Sequence, residues 1–356
     1  MFPGTFVVIG GERARMNPTI FTALLVCLSL VLSCTTSGSS GTSLVTVKRT
    51  QMHMGTLVSI TAVSRTHDEA NEAISAGFQE IKRLEQLLST WISSSELSKV
   101  NAAAGRSAVK VSLETMTVVR KSLQVAEMTD GAFNIAIGPA VDAWNISAEP
   151  RLPSVEELAG LKPLVDLQYV HTDVWDRTIY LQKPGMRIDV GGIGKGYAAD
   201  QAVMVMKRSG ALAGVVALSG DIKTFGRLPD GAAFPVGIRH PRKEGEILAE
   251  IRLQDEAIST AGDYERFFEK DGVRYHHILD PHTLEPAHGC QSVSVIAKEG
   301  IWADGLDTGI FVLGAERGME LVEQLEDVEA VIVDRDGHVL VSSGLRDRVR
   351  LRSGSD

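Results

Sequence analysis

The sequence predicts an α+β fold, either one large domain or two intimately joined ones, and three observations carry that prediction. The chain has 356 residues, of which 44% are hydrophobic and 23% charged, enough for a folded body with an ample core. Strand-like and helix-like segments are interleaved along it. They lack the regular βαβ rhythm that a doubly wound parallel sheet needs.

The elements follow in order. The body begins near Leu44, where "LVTVKRT" and "GTLVSITAV" alternate apolar and polar residues like paired strands. A helix follows, with Ile74, Phe78, Ile81 and Leu88 at helical spacing and Thr66 with Glu69 as a capping box. A second helix runs from Ser112 to about Met128 and stops at Gly131. A short one opens at Ser154, with Glu157 three residues on. Two short strands flank "DRT" (176–178), and a strand ending at Val190 feeds a helix that starts within "GIGKGYAAD". "AGVVALSGDIKTFG" reads as a buried strand and its turn. "ERFFEKDGVRYHHIL" is a hairpin turning at Asp271-Gly272. "SVSVIA" is a strand, "ADGLDTGIFVLG" a helix, and Asp336-Gly337 marks a last hairpin.

Ahead of the body lies "IFTALLVCLSLVLSC" (20–34), too short for a comfortable membrane span, which needs roughly 20 apolar residues. With Arg13 and Arg15 before it, the segment reads as a secretory h-region. Starting at Met16 instead would remove both arginines. Its end, "VLSC", resembles a bacterial lipobox, which would make Cys34 the first mature residue and its acylation site. An ordinary cleaved signal and a core helix are the alternatives. "TTSGSSGTS" (35–43) then suits a flexible tether. The expected organisation is a signal peptide over 1–33, a tether over 34–43, the body over 44–350 and a tail over 351–356. On the lipobox reading, the expected location is a bacterial cell envelope, with the protein held to the membrane by its lipid and facing the periplasm. The net charge of -9, without a long basic run, argues against nucleic acid as a partner.

Four stretches could carry chemistry. "RIDVGGIGKGYAADQAV" (187–203) fits neither the phosphate loop of nucleotide hydrolases nor the dinucleotide fingerprint. Its helix start could attract an anion, with Asp189 on a ring edge and Lys195 on a phosphate, or the glycines could serve packing alone. "WADGLDTG" (302–309) sets Asp304 and Thr308 four apart, on one helical face with Asp307 beside them. That is hard-oxygen ligation suited to Mg²⁺, or a helix cap. "YHHILDPHTLEP" (275–286) puts His276 and His277 on alternate faces, so one can enter a cleft, or both can be structural. "DGAFNIAIGPAVDAWN" (130–145) offers Phe133 and Trp144 to a flat ligand or to the core. No zinc pattern is present, and no serine-hydrolase context surrounds Ser219.

Taken in order, "MGT" (54–56), "LLSTWISSSELSKVN" (87–101), "DGAFNIAIGPAVDAWN", "RIDVGGIGKGYAADQA", "SGDIKTFG" (219–226), "ISTAGDYERFF" (258–268), "HHILDPHT" (276–283) and "ADGLDTGIFVLG" (303–314) resemble the FAD:protein FMN transferases. This ApbE-like family was formerly described as thiamine-biosynthesis lipoproteins, and the likeness covers about residues 45–345. The resemblance implies two intimately joined α/β subdomains with mixed or antiparallel sheets and an FAD cleft between them. It implies Mg²⁺-dependent transfer of the FMN half of FAD to a Thr or Ser hydroxyl of an acceptor protein, with release of AMP. The acceptors it suggests are redox-pump subunits or secreted flavin-dependent reductases. Met54, Trp91, Ala132, Phe133, Asn134, Asp189, Lys195 and the backbone around Ile278 would contact FAD. The Gly192 carbonyl, Asp304 and Thr308 would hold the metal, with Asp307 beside them. His277 is the first choice of general base and Asp304 the second. Trp91 stands where the family usually has tyrosine, Asn134 replaces an aspartate, Leu284 a glycine, and Ala261 departs from a Ser/Gly pattern. None of these removes a metal ligand. An FAD pyrophosphatase and a non-catalytic FAD-binding lipoprotein are the alternatives.

Overall fold

The computed structural model describes residues 7–8 and 44–352. The predicted lipobox, Cys34 and the tether lie outside the described residues. Val7–Val8 forms a short strand, β1. The body opens with β2 (Val45–His53) and β3 (Thr56–Ser64), a nine-pair antiparallel hairpin. Met54 and Gly55 turn it, both with positive φ (50° and 70°). The Met54 amide donates to Glu85 Oε1 at 2.7 Å, which holds that left-handed turn.

Helix α1 (His67–Leu88) buries the expected face, Ile74, Phe78, Ile81 and Leu88. Its capping box closes differently from the expectation. Glu69 N–H donates to Thr66 Oγ1, but the Glu69 carboxylate reaches the Arg65 amide one residue earlier. Then come α2 (Glu96–Ala102), β4 (Val109–Lys110), α3 (Leu113–Met128, capped by Ser112), α4 (Gly138–Trp144) and α5 (Val155–Leu161, capped by Ser154). Strands β5 (Val170–Asp173) and β6 (Thr178–Leu181) pair with β4 in a small antiparallel sheet.

The predicted strand ending at Val190 is not a strand. Side chains and a loop satisfy this segment where a ladder would have done so. The Asn101 amide bonds both Ile188 N–H and its carbonyl (2.8 and 2.9 Å), and Asp189 N–H donates to the Ile135 carbonyl. Helix α6 (Gly194–Arg208) follows, starting where expected.

Strands β7 (Ala213–Leu218) and β8 (Asp221–Phe225) form a tight hairpin. Next are β9 (Phe234–Arg239), β10 (Ile247–Leu253), β11 (Ala257–Gly262), β12 (Phe267–Lys270), β13 (Val273–His276) and β14 (Cys290–Ala297). The chain closes with α7 (Gly300–Leu313), α8 (Ala315–Gln324), β15 (Val328–Asp334), β16 (Val339–Val341) and β17 (Arg350–Leu351). Leu351 pairs with Ala249, so the ordered body runs past the expected boundary at 350.

An eight-stranded antiparallel sheet in the order β16-β15-β14-β11-β8-β7-β3-β2 is the frame. Helices α1, α6 and α7 cover one face, where Ile60, Val216 and Val295 meet Ile74, Met206 and Ile310. The sheet of β9, β10 and β17 covers the other, with Val236 and Ile251 against Val215 and Ile258. Burial on both faces explains why β7 and β14 are buried at every residue and read as continuous apolar runs. The resulting α+β class is the expected one.

A third, smaller cluster joins Trp144, Leu158, Leu279 and Leu284. Leu284 has φ +64°, which explains why glycine suits this position. Its side chain is fully buried, and its carbonyl accepts from Trp144 Nε1 at 2.7 Å. Leu284→Gly should therefore destabilise the fold despite relaxing the backbone. Left-handed strain returns about 1–2 kcal/mol, while losing a buried leucine costs about 2–5 kcal/mol. Chemical denaturation of the two proteins measures the difference, and a more stable variant would contradict this packing account.

Candidate functional site

The site forms where α6 crosses α7. A methyl group on Gly196 would collide with the Gly300 carbonyl oxygen and lie 2.7 Å from Asp304 Cβ, so only glycine allows the approach. The crossing sets Asp304 against the start of α6, where Gly196 N–H donates to Asp304 Oδ2 at 2.7 Å. Asp304 does not cap its own helix. That task falls to Asp200 on α6, whose carboxylate accepts from Gly300 and Ile301 N–H at 2.8 and 3.0 Å. Asp304 also occupies the anion position at the α6 start, so the Gly196 amide faces a carboxylate of the protein itself.

Two further acids converge on Asp304. Asp307 lies one turn along α7, and Asp221 opens β8 just after Ser219, which turns the hairpin at φ +57°. Carboxylate oxygens of Asp221, Asp304 and Asp307 all lie within 4.8 Å of one another, and all three residues are buried. Lys195 Nζ pairs with Asp221. The Ser259 hydroxyl on β11 touches Asp221 Oδ1 and Asp307 Oδ2. Serine has one proton to give, so one of these contacts requires a proton on the carboxyl. Thr308 Oγ1 donates to Asp307 Oδ1 at 3.1 Å, and Gly192 backs onto that hydroxyl, which its own Cβ would approach to 3.1 Å. Residues 192, 304, 307 and 308 thus lie together in the structure. Asp221 was missed by the sequence reading, and an acid at the turn of a hairpin whose first strand is wholly apolar is the signal that could have found it.

The charge balance is the main feature of the site. Three carboxylates face one ammonium, which leaves two negative charges if all ionise. Burial, then the Asp221 charge, push the Asp304 carboxyl up to about 8. Burial and the neighbouring Asp304 and Asp221 push Asp307 well above the usual range. Burial alone would lower Lys195, but Asp221, Asp304 and Asp307 outweigh it and hold the ammonium charged. The protein alone keeps protons here to relieve the repulsion. The donor set of buried carboxylates with a hydroxyl beside them fits one hard divalent cation.

The histidine pair divides its work. His276 is buried, with Nε2 on the Ala287 carbonyl at 2.6 Å and Nδ1 accepting from Ile278 N–H at 3.3 Å, and it is structural. His277 is the one that keeps accessible surface. Its Nδ1 lies 3.3 Å from the Arg266 carbonyl, an acceptor only, which assigns the proton to Nδ1 and leaves Nε2 a free lone pair. Burial, then the Arg266 charge, hold the imidazole well below its ordinary range, so it is neutral.

Other predicted contacts are placed less directly. Asp189 accepts from Gly191 N–H (2.7 Å) and the Thr90 hydroxyl (3.3 Å), which brings neighbouring Trp91, 79% exposed, to the same edge. Lys195, expected on a phosphate, pairs with Asp221 in the structure. Ala132 and Phe133 are buried, the Phe133 ring beneath Gly192 and its Cβ beneath Gly309. The Asn134 side chain bonds the Ala136 amide and the Val165 carbonyl, so it supports the backbone. Ile278 has its N–H on His276 and its carbonyl on Ala287 N–H. Trp144 is a core residue stacked on Tyr275. Two separate cavities, of about 340 and 300 Å³, lie around Arg242 and Gln291 and contain none of the acidic cluster.

Comparison with known proteins agrees with this geometry. The family model of the ApbE family matches residues 54–332. An FAD:protein FMN transferase of Treponema pallidum is 35% identical over 320 residues, 85% of this chain and 88% of the relative. That of Escherichia coli K12 is 34% identical over 260 residues, 71% of this chain and 74% of the relative. Among solved structures, the ApbE protein of Thermotoga maritima superposes with a TM-score of 0.79 at 29% identity, covering 86% of this chain and 99% of its own. The flavin transferase ApbE of Vibrio cholerae gives 0.78 at 27% identity over the same shares. With its fold, its ordered motifs and its acidic crossing of two helices, the chain belongs to the ApbE family.

Proposed function

We propose that this protein is an FAD:protein FMN transferase that attaches FMN from FAD, through a phosphodiester bond, to a threonine or serine hydroxyl of an acceptor protein and releases AMP. Family membership and the names of its relatives support the activity. The observation that carries the chemistry is the buried triad of Asp221, Asp304 and Asp307 set against the single ammonium of Lys195.

Asp304, Asp307, Thr308 and the Gly192 carbonyl would hold Mg²⁺, with Asp221 beside them. When bound, the cation supplies charge neutralisation at the diphosphate and at the departing AMP. Lys195 pairs with Asp221 and orients it. His277 Nε2 accepts the proton of the attacking hydroxyl, and the Arg266 carbonyl fixes the ring in the tautomer that makes this possible. Asp304 is the poorer base, because its lone pairs serve the Gly196 amide and the cation. Exposed Trp91 offers a flat apolar face to the flavin at the edge carrying Asp189.

The transfer assay is direct. The mature protein is incubated with FAD, Mg²⁺ and a candidate acceptor. Flavin fluorescence that survives on the denatured acceptor band supports transfer. AMP with free FMN and no labelled acceptor would make the protein a pyrophosphatase, and intact FAD would make it a carrier. The proposal includes a lipid-anchored protein of the bacterial cell envelope, and mass spectrometry of an acylated Cys34 tests that part.

A pH prediction follows from the raised carboxyls. A group whose folded pKa exceeds its unfolded value stabilises at low pH, and that contribution is lost as pH rises toward the folded pKa. In chelator, the melting temperature should therefore carry a component that falls from about pH 4 to about pH 8. Mg²⁺ should reduce the fall, because the ionised cluster is the form that binds it. Thermal melts across pH with and without Mg²⁺ measure this, and identical curves would contradict the assignment.

A further inference from the structure

Arg266 lies between β11 and β12 and is the cation that the mechanism above does not use. Its neighbours Arg239, Arg242 and Arg274 each pair with a carboxylate: Glu265, Asp263, and Asp263 with Glu269. Arg266 forms no ion pair with any described carboxylate. The one hydrogen bond of its guanidinium is a long one, 3.4 Å, to the Ser147 hydroxyl just past α4. Asp189, Glu265 and Asp221 act on it electrostatically from beyond ion-pair reach, and its own charge acts on His277. The side chain keeps accessible surface, while partial desolvation by the surrounding protein lowers the guanidinium from its ordinary value. Its backbone carbonyl also accepts from the His277 amide (3.1 Å) and faces His277 Nδ1. One residue thus orients the imidazole and presents an unpaired guanidinium close enough to Asp189 and Asp221 to feel their charge.

A guanidinium partly withdrawn from water, with nearly all its donors free, is incomplete until an anion arrives. Its planar fork matches the oxygens of a phosphate. We propose that Arg266 binds the diphosphate of the flavin nucleotide, from the side of the site that carries His277. This rests on the reading of the site as one for FAD. The acidic cluster and the guanidinium then divide the recognition of one anion: the cluster needs a cation between itself and the phosphate oxygens, and Arg266 needs none.

That division sets the test. FAD and riboflavin share the flavin ring, but only FAD has the diphosphate. Their affinities are measured by flavin fluorescence on the full-length protein in chelator, for the wild type, Arg266→Gln and Arg266→Lys. Arg266→Gln should weaken FAD about tenfold to a hundredfold, the span of a charge-assisted hydrogen bond, and leave riboflavin unchanged. Arg266→Lys should lie between, since it keeps the charge and loses the fork. Equal weakening of both ligands would mean that Arg266 only shapes the cleft and would overturn the proposal, as would unchanged affinity for both. A wild type that binds FAD no better than riboflavin would sink the FAD reading itself, and this proposal with it. Thermal melts of both variants identify any loss of binding that comes from unfolding.

Discussion

Asp304→Ala should abolish Mg²⁺-dependent turnover, lowering kcat by about a thousandfold or more, since a bound cation contributes several kcal/mol at a developing phosphate charge. Asp304→Asn should be as inactive. It should also melt at a higher temperature than the wild type in chelator. The asparagine keeps an oxygen for the Gly196 amide, which now donates to Asp304 Oδ2. It removes a carboxyl that the folded state must keep protonated, because burial and then the Asp221 charge drive it up to about 8. A residue that burdens the folded state and is required for turnover is retained for function. Turnover retained in Asp304→Ala would reject the metal assignment, and an Asp304→Asn variant less stable in chelator would reject the charge argument.

The second large effect is expected at His277. His277→Gln should lower kcat by about a hundredfold to ten-thousandfold, the range for a general base, with FAD affinity little changed. The pH profile adds a readout that misfolding would not produce. The imidazole is held well below its usual range by burial and by the Arg266 charge, so the neutral form that accepts a proton persists in mildly acidic solution. Wild-type kcat should therefore stay level to well below the ordinary histidine range before it falls. The residual rate of the variant should lack that acidic limb. A wild-type limb near the ordinary histidine value would show that burial and the Arg266 charge do not hold the ring neutral, or that His277 is not the base.

Much of this was legible in the sequence. The caps at Thr66, Ser112 and Ser154 and the turns at Asp271-Gly272 and Asp336-Gly337 are local signals, and they were read correctly because local hydrogen bonding decides them. The strand expected before Val190 failed for the opposite reason. Its partners, Asn101 and the Ile135 carbonyl, are distant in sequence and are not a ladder. Strands β9 and β10 were not anticipated at all, and they matter because they cover the second face of the main sheet. Pattern alone does not show that a strand needs two covers.

The site divides in the same way. Asp304, Asp307 and Thr308 share one helix, so spacing grouped them. Asp221 joins them only through the β7–β8 hairpin, and Ser259 only through β11, so their roles depend on sheet order. The glycine stretch at 191–196 has two roles. Gly196 is a packing glycine at the helix crossing, and Gly192 backs onto the Thr308 hydroxyl. Asn134 was expected at the ligand, but its amide is consumed by the Ala136 amide and the Val165 carbonyl.

Calorimetric titration of Mg²⁺ into chelator-stripped protein with FAD present, in two buffers of different ionisation enthalpy, tests the central claim most directly. The triad should take up one ion per chain and release protons below about pH 8, and Asp304→Ala should lose both signals. No saturable uptake, or uptake unchanged in Asp304→Ala, would show that these three carboxylates are not where the cation acts.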